Sequence, residues 1–408
     1  MPVKWKKTPR FKPDLILQRI QAVRTINPDG KGSSFSGWEL NQSLPLLNSM
    51  LDFPEAARGL NHANLIWRAV AYTPQDLTSE SFIKELNRQL SAALSKREEN
   101  FHVLTAVSIT NRVPMGTMTV EGVKLNYCGA TYPRRFTKTR AQRIARGDMP
   151  AIESPFDYSR VVATVTAKEP RLALSAALRA LDLQRALWCL FCNTEMEIIG
   201  RSWVPINAIQ LAAVHTVHSK DGGLAGEEIW FEPYHSPTRA FVPKDAGKMK
   251  RKVQGILSRL KRSPYSADII DALLLYVRAL DEWNQNTAFV RLWSAVERLA
   301  SPGHGDYDAV VRRCAFLWDD PAFASQTLEH LREYRNVYMH SGMETSEAKT
   351  YCFQLQQHFR PLVLFHIGNA NRFKSLKEAN EFLELPTDQV ALQKLQKLVQ
   401  FASRFRKT

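Results

Sequence analysis

The C-terminal part of the chain carries apolar residues at intervals of three and four, the spacing that places them on one face of an α-helix. Short polar or Gly/Pro-containing connections separate these segments from one another. Short connections between amphipathic helices favour antiparallel packing, so this part is predicted to be an all-α bundle. The predicted helices lie within residues 269–280, 289–300, 307–317, 323–338, 352–366 and 390–405.

Residues 1–245 mix helical and strand-like periodicity. Apolar spacing predicts a helix over 79–97, with Thr78 placed to cap it, and a longer helix over 171–191. The Asp221-Gly222-Gly223 turn favours a hairpin between the last two predicted strands, although the pattern does not order the strands into a sheet. The strands are predicted over residues 102–110, 118–127, 161–167, 209–217 and 228–233.

Two domains are expected, because 408 residues exceed the usual size of a single hydrophobic core. The predicted fold class is α+β, with an N-terminal mixed α/β domain (residues 1–245) followed by a helical bundle (residues 246–408). The hydrophobic fraction of 44% and the charged fraction of 23% are those of an ordinary globular protein, which excludes a disordered or fibrous chain.

Nothing in the sequence predicts export or membrane insertion. The basic N-terminus is not followed by an apolar stretch, so it does not resemble a secretory signal. The longest apolar runs, residues 269–277 and 361–367, are too short to span a bilayer. Five cysteines at irregular spacing do not form a disulfide framework. We therefore expect a cytoplasmic protein without a membrane partner.

The chain is strongly basic, with 55 Lys and Arg against 40 Asp and Glu, a net charge of +15 that favours a polyanionic partner. The excess is clustered within residues 4–12, 134–146 and 244–262. Each run taken alone could be a solvated face, whereas three runs of one sign favour a nucleic acid or a membrane surface. Because the runs do not alternate with aromatic residues, they predict contacts to a phosphate backbone. The residues assigned to such contacts are Arg134, Arg135, Lys138, Arg140, Lys250, Arg251 and Lys252.

Two further motifs have the residue types of a metal or phosphate site. Cys189-x-x-Cys192 and His215-x-x-His218 resemble zinc ligands, but the cysteines lie in an apolar helical run and zinc fingers space such pairs differently. We interpret all four as core or ordinary residues. The glycine-rich loop 29–34 lacks the first glycine of a phosphate-binding loop and follows no strong strand. The sequence therefore predicts no metal and no cofactor.

One short segment, Glu333–Gly342, combines residue types suited to phosphate chemistry. In it Arg335 is followed by Asn336 and, four residues further on, by His340. Three other arginines precede a histidine at similar spacing, but glutamate, leucine or proline stands where Asn336 stands here. This motif resembles that of the HEPN superfamily of helical-bundle ribonucleases. In that motif a polar residue follows an arginine, and four to six positions separate the arginine from a histidine. The preceding segment Phe289-Val-Arg-Leu-Trp-Ser-Ala-Val-Glu-Arg-Leu is similar to the Apea-like branch.

The resemblance covers about residues 265–370. It implies a metal-independent endoribonuclease that leaves a 2′,3′-cyclic phosphate and a 5′-OH, with Arg335, Asn336 and His340 as catalytic residues. It also implies a homodimer with a composite active site, and an effector role in prokaryotic defence against phage or in abortive infection. The expected partners are RNA and a phage-derived trigger or regulatory protein. Residues 1–245 would sense that trigger, restrain the nuclease or select the RNA.

The three residue types account for the expected chemistry. When RNA is cut without a metal, the 2′-OH attacks the adjacent phosphate, and histidine can carry the proton near neutral pH. The guanidinium of Arg335 can stabilise charge on the phosphorane, and Asn336 can donate to a phosphate oxygen or orient the ring. On a regular helix Asn336 and His340 share a face, but Arg335 and His340 lie about 140° apart. A common phosphate thus requires either unwinding at His340–Gly342 or two chains that combine their motifs.

Arg335 also has a structural interpretation. It falls close to the apolar face of its helix and could pair with a carboxylate inside the bundle, for which Glu297 is the candidate. The same pairing could orient the guanidinium, so Glu297 is predicted to support the site. The alternative function is a non-catalytic, basic RNA-binding or scaffold protein that dimerises through its helical bundle.

Overall fold

The computed structural model describes residues 2–28, 32–57, 60–74, 76–112, 115–145, 155–193, 204–226, 229–232, 235, 237–303 and 306–406. These residues form both helices and β-strands, which confirms the predicted α+β class. The chain forms two compact units. Unit 1 consists of Met1–His102 and Val165–Ala176, and unit 2 consists of Val103–Thr164 and Ala177–Thr408.

Unit 1 is built mainly from helices. Its strands and helices are β1 (Lys4–Trp5), α1 (Pro13–Ala22), β2 (Arg24–Ile26), β3 (Ser33–Phe35), α2 (Glu39–Met50), β4 (Leu51–Asp52), α3 (His62–Tyr72) and α4 (Ser79–Ser95). Strand β1 pairs with β4 and β2 with β3, both antiparallel. Thr78 caps α4 as predicted, because its hydroxyl accepts the Ser81 N–H at 3.1 Å. The core of the unit contains Leu17, Ile66 and Phe82, all fully buried.

A six-stranded sheet lies largely in unit 2. Its strands are β5 (Glu99–Thr110), β6 (Thr117–Val120), β7 (Val123–Gly129), β8 (Tyr158–Ala167), β9 (Val214–His218) and β10 (Trp230–Phe231). The strands follow the order β10-β9-β5-β8-β7-β6, and the pairs β6/β7, β7/β8 and β9/β10 are antiparallel. The β9/β10 pair confirms the predicted hairpin.

Two of the predicted strands differ from those in the structure. The strand predicted over 118–127 is in fact two strands, because Glu121 and Gly122 both adopt positive φ and reverse the chain. The strand predicted over 209–217 begins only at Val214, and the one predicted over 228–233 includes residues outside the described part of the chain. Leu211 forms a single bridge to Val107.

Two helices accompany the sheet: α5 (Arg134–Ala145) follows β7, and α6 (Pro170–Cys192) follows β8. Helix α6 confirms the prediction over 171–191. Every residue from 181 to 190 is buried, including the charged Asp182 and Arg185. Because an isolated buried ion is strongly unfavourable, these two charges need partners of opposite charge within the protein.

A buried ionic network satisfies the charges of Asp182 and Arg185. It joins α6 to residues 278–281, near the end of a later helix, within unit 2. The Arg185 guanidinium donates to both oxygens of Asp281 at 3.0 and 2.8 Å and to Asp182 at 2.7 Å. Arg278 bridges Asp182 and Glu232, with N···O distances of 2.6 Å in both pairs. We call these five residues the ionic network. Because it binds the sheet region to the helical region, the boundary predicted after residue 245 falls inside unit 2.

From Ala246 onward the described chain is helical, as the apolar spacing predicts. The helices are α7 (Ala246–Leu260), α8 (Ser266–Ala279), α9 (Gln285–Ala300), α10 (Tyr307–Ala315), α11 (Pro321–Ser341), α12 (Ala348–Gly368), α13 (Leu376–Phe382) and α14 (Gln389–Phe405). Helix α9 packs against α8 and α12, and α10 packs against α11. Among the described helices, none is both long enough and apolar enough to cross a membrane.

Candidate functional site

Helix α11 carries the Arg335–His340 motif in its last two turns. The helix begins after Asp320, whose carboxylate accepts the Phe323 N–H at 3.0 Å, and Pro321 occupies a first-turn position where its missing N–H is not needed. It ends at Gly342, which adopts a φ of +67° and donates its N–H to the Tyr338 carbonyl at 2.9 Å. Glycine suits this left-handed position because it has no Cβ.

The backbone of α11 stays helical through Ser341. One of the two predicted ways to bring Arg335 and His340 together, unwinding at His340–Gly342, is therefore wrong, since the helix stops only at Gly342. Five residues of a regular helix rotate the side-chain direction by about 140°, so Arg335 and His340 diverge, whereas Asn336 and His340 share a face. In the part of the chain that is described, no hydrogen bond joins His340 to Arg335 or Asn336.

The Arg335 guanidinium is held by an aromatic ring and an amide. Its Cζ lies 4.6 Å from the centroid of the Tyr307 ring, and Nη1 donates to Asn336 Oδ1 at 3.2 Å. Its Nε is buried without a hydrogen-bond partner. Among the described residues, no carboxylate lies within ion-pair distance of this guanidinium. The charge is thus positioned but not neutralised.

Glu297 does not pair directly with Arg335, although both side chains are half-buried. The Glu297 carboxylate accepts the Trp293 indole N–H at 2.8 Å. Burial raises the pKa of Glu297, while the Trp293 hydrogen bond and the charge of Arg335 lower it to a smaller extent. Glu297 therefore acts on Arg335 through its field at longer range, and its supporting role stays a prediction.

His340 is exposed on the surface of unit 2 and has no hydrogen-bond partner in the described residues. Three apolar residues near it in the sequence are exposed as well: Val337, Met339 and Met343, by 37, 52 and 64%. Several exposed apolar residues at one helix end are typical of a surface that another molecule covers.

Contacts to the start of α9 fix the end of α11. The Thr345 N–H donates to Asn286 Oδ1 at 3.0 Å, and the Tyr334 hydroxyl donates to the same oxygen. The Asn284 side-chain amide donates to Glu344 at 2.8 Å. The segment that follows His340 is therefore anchored to α9, which limits the movement of the motif relative to the bundle.

Of the basic residues assigned to RNA on α5, the structure leaves three exposed and buries one. Arg134, Arg135 and Lys138 lie on the surface. Arg140 is only 6% exposed, and its guanidinium donates to the carbonyls of Leu104 and Val214 and to the hydroxyl of Thr216.

The predicted contact between Arg140 and an RNA backbone is therefore wrong. Arg140 lies four residues after the fully buried Phe136, so the two share the inward face of α5. That spacing is the sequence signal that could have identified Arg140 as a core residue. Arg146, at the end of the same basic run, lies outside the described residues.

The second set assigned to RNA lies on α7. Val253, Ile256 and Leu260 bury one face of this helix, which directs the basic residues outward. Arg251 and Lys252 are exposed and Lys250 is half-buried. These three positions are compatible with contacts to a polyanion, which stay a prediction.

The described residues contain no group of three or more His, Cys, Asp or Glu side chains arranged to hold a metal ion. Cys189 is fully buried, burial raises the pKa of its thiol to about 12, and the thiol contacts the Ile209 carbonyl at 3.7 Å. His215 lies in the sheet, where its two ring nitrogens contact Thr105 at 2.7 Å and Glu232 at 3.2 Å. Both residues thus have structural partners.

Comparisons with known proteins returned no match to a family model, to a curated protein or to a solved structure. The HEPN resemblance therefore depends on the residues of the motif and on the preceding helix. The contact of Tyr307 with Arg335 was not predicted, because spacing within one helix does not reveal a partner on another. The four-residue spacing of Trp293 and Glu297 on α9, in contrast, could have indicated their hydrogen bond.

Proposed function

We propose that the chain is a metal-independent endoribonuclease of the HEPN type that uses Arg335, Asn336 and His340. One observation carries the proposal: an arginine without a carboxylate partner, an amide fixed to it and an exposed imidazole lie within six residues at one helix end. His340 would take the proton from the 2′-OH or return it to the leaving 5′-oxygen. Arg335 would stabilise the charge on the phosphorane, and Asn336 would orient the guanidinium or donate to the phosphate.

The geometry of α11 favours a site shared by two chains. A regular helix directs Arg335 and His340 about 140° apart, so one phosphate is reached more readily by Arg335 of one chain and the partner's His340. The exposed Val337, Met339 and Met343 beside His340 supply an apolar surface for such a contact, and methionine is enriched in protein interfaces.

The cellular role that fits this activity is an RNA-cleaving effector in prokaryotic defence or abortive infection, and its support is the family resemblance. An effector of this kind must be restrained until a trigger arrives. Unit 1, which does not contain the motif, is the candidate for that restraint or for choosing the RNA.

Replacing the motif residues tests the activity. His340→Ala and Arg335→Ala should each lower the rate of RNA cleavage by about 10²–10⁴-fold. The unfolding midpoint should stay nearly unchanged in His340→Ala and fall slightly in Arg335→Ala, which loses its contact with Tyr307. His330→Ala, an exposed histidine on the same helix, is the matched control and should retain wild-type activity. Cleavage should persist in EDTA and leave cyclic-phosphate ends. Full activity in both motif variants would disprove the proposal.

A mixing experiment tests the shared site. Arg335→Ala and His340→Ala chains are each inactive alone, but a heterodimer of the two would contain one intact pair of Arg335 and His340 from different chains. An equimolar mixture after subunit exchange should therefore recover about one quarter of the wild-type rate. No recovery, with heterodimers confirmed by mass, would place both residues of each site in the same chain.

The second candidate function is a non-catalytic RNA-binding or scaffold protein. The contact between Arg335 and Tyr307 favours it, because that contact also serves packing between α10 and α11. It predicts that wild-type protein binds RNA with steep salt dependence and leaves the RNA intact after long incubation.

A further inference from the structure

A cluster of positive charges surrounds Phe191, the penultimate residue of α6, within unit 2. The Lys252 amine on α7 lies 3.3 Å from the centroid of the Phe191 ring. Arg360 on α12 places its guanidinium 5.1 Å from the same centroid. Three helices thus bring two cations to one aromatic ring. We call Phe191, Lys248, Lys252 and Arg360 the Phe191 cluster.

The cations of the Phe191 cluster repel one another. Burial lowers the pKa of Lys252, and the charges of Arg360 and Lys248 lower it further. No carboxylate lies within ion-pair distance of Lys248, Lys252 or Arg360 in the part of the chain that the structure describes, whereas Arg278, Arg298 and Arg312 all have such partners. The Phe191 ring offsets part of the repulsion through its negative face.

An anion bound beside these like charges would relieve their repulsion, and the exposed Lys248 and Lys252 are accessible to one. Both cations lie against the same ring, and the planar guanidinium can bind two phosphate oxygens at once. Lys248 is exposed and lies four residues before Lys252 on the same face of α7, so it extends the positive surface beyond the ring. That extension favours a chain of phosphates over a single small anion.

We propose that the Phe191 cluster is a docking site for the phosphodiester backbone of the RNA substrate, with Lys252 and Arg360 as its two phosphate-binding groups. The assignment of RNA as the polyanion rests on the proposed nuclease function. Arg360 was not among the residues predicted to contact RNA, since its neighbours Phe359 and Pro361 show no basic run.

The test is an RNA-binding measurement in full-length protein that carries His340→Ala, so that cleavage does not destroy the probe. Fluorescence anisotropy of a labelled single-stranded RNA is recorded over a range of KCl concentrations. Lys252→Gln with Arg360→Gln should weaken binding by roughly tenfold or more and reduce the slope of log K against log salt by about 1.4, or about 0.7 for each of the two phosphate contacts. Lys261→Gln with Arg262→Gln removes the same charge from exposed positions after α7 and should weaken binding by less than about threefold.

One further variant and one measurement separate loss of the site from loss of the fold. Arg360→Lys keeps the positive charge but loses the planar fork, so it should weaken binding less than Arg360→Gln does, and the unfolding midpoint of each variant reports on folding. Equal weakening in the two charge-matched double variants, or no weakening in the Lys252/Arg360 pair, would overturn the docking site. If wild-type protein binds RNA through the cluster yet never cleaves it, the docking site stands and the nuclease proposal fails.

Discussion

Unit 2 contains two groups of charged side chains that differ in how far their charges are satisfied. In the ionic network, Arg185 is fully buried and contacts the carboxylates of Asp182 and Asp281. Arg278 contacts the carboxylates of Asp182 and Glu232. In the motif, Arg335 contacts a ring and an amide, and His340 is exposed without a described partner. The same residue types therefore serve different purposes in the two places.

Structural charges and charges available to a ligand differ in whether they already have partners. A buried charge with complete partners contributes to holding elements together, and removing one member leaves the others uncompensated. A positioned charge with no counter-ion retains its capacity to bind an anion. Arg140 is buried and its guanidinium donates to three oxygen atoms, so it belongs with the structural charges, whereas Arg335 and the Phe191 cluster belong to the available class.

The largest effect on stability should come from breaking the ionic network. Arg185→Met leaves Asp281 and Asp182 without their shared partner and should lower the free energy of unfolding by about 3–5 kcal/mol. Urea denaturation followed by circular dichroism measures it. The matched control is Arg179→Met on the same helix, where the pairs to Glu121 and Asp271 are exposed and should contribute less than about 1 kcal/mol. Equal losses in the two variants would remove the distinction between the two classes.

An intermediate effect concerns the pH dependence of stability. Burial lowers the pKa of His358 and His366 to about 4, whereas an unfolded histidine has a pKa near 6.5. Below pH 6.5 the unfolded chain binds a proton that the folded chain does not, so stability falls on acidification until about pH 4. Each histidine should reduce the free energy of unfolding by up to about 1.4 kcal/mol per pH unit in that window.

Urea midpoints recorded between pH 7 and pH 4 measure this dependence. His366→Gln removes one titrating group and should make the decline less steep, while its side chain can still accept a hydrogen bond from the Tyr265 hydroxyl. A wild-type midpoint that stays constant over the window, or an unchanged slope in the variant, would contradict the assignment of His366 as a buried neutral histidine.

The smallest effect should come from Glu297, which acts on Arg335 only at a distance. Glu297→Gln removes the negative charge but leaves a carbonyl oxygen able to accept the Trp293 indole N–H. The rate of RNA cleavage should therefore change by less than about tenfold, far below the effect of Arg335→Ala. A loss as large as that of Arg335→Ala would show that Glu297 takes part directly.

Local patterns predicted most of the fold. Helices α4, α6 and α8–α12 follow from apolar spacing, because a helix that buries one face leaves a clear period in the sequence. The turn at Glu121–Gly122 was missed, since Glu121 is a residue type that seldom adopts positive φ. The strand order and the extent of the compact units depend on distant contacts, such as that between Arg185 and Asp281, which no local pattern records.

The candidate site was predicted by residue type and by spacing, but its surroundings were not. The sequence identifies Arg335, Asn336 and His340 and the angle between them on a helix. It does not show whether a carboxylate lies near Arg335, because that depends on the packing of other elements, whereas the spacing from Phe136 could have shown that Arg140 is directed inward. Burial and charge pairing are therefore the information that the structure adds.

Unit 1 is formed by two separate stretches of the chain, which affects when it can fold during synthesis. The unit combines Met1–His102 with Val165–Ala176, and the stretch between them belongs to unit 2. A ribosome releases the N-terminal residues first, at about 5–20 residues per second, so this unit cannot be completed until Ala176 has emerged. An expression fragment that stops at His102 would lack its last segment. A fragment designed to isolate the unit must include that segment, with a short linker in place of the intervening residues.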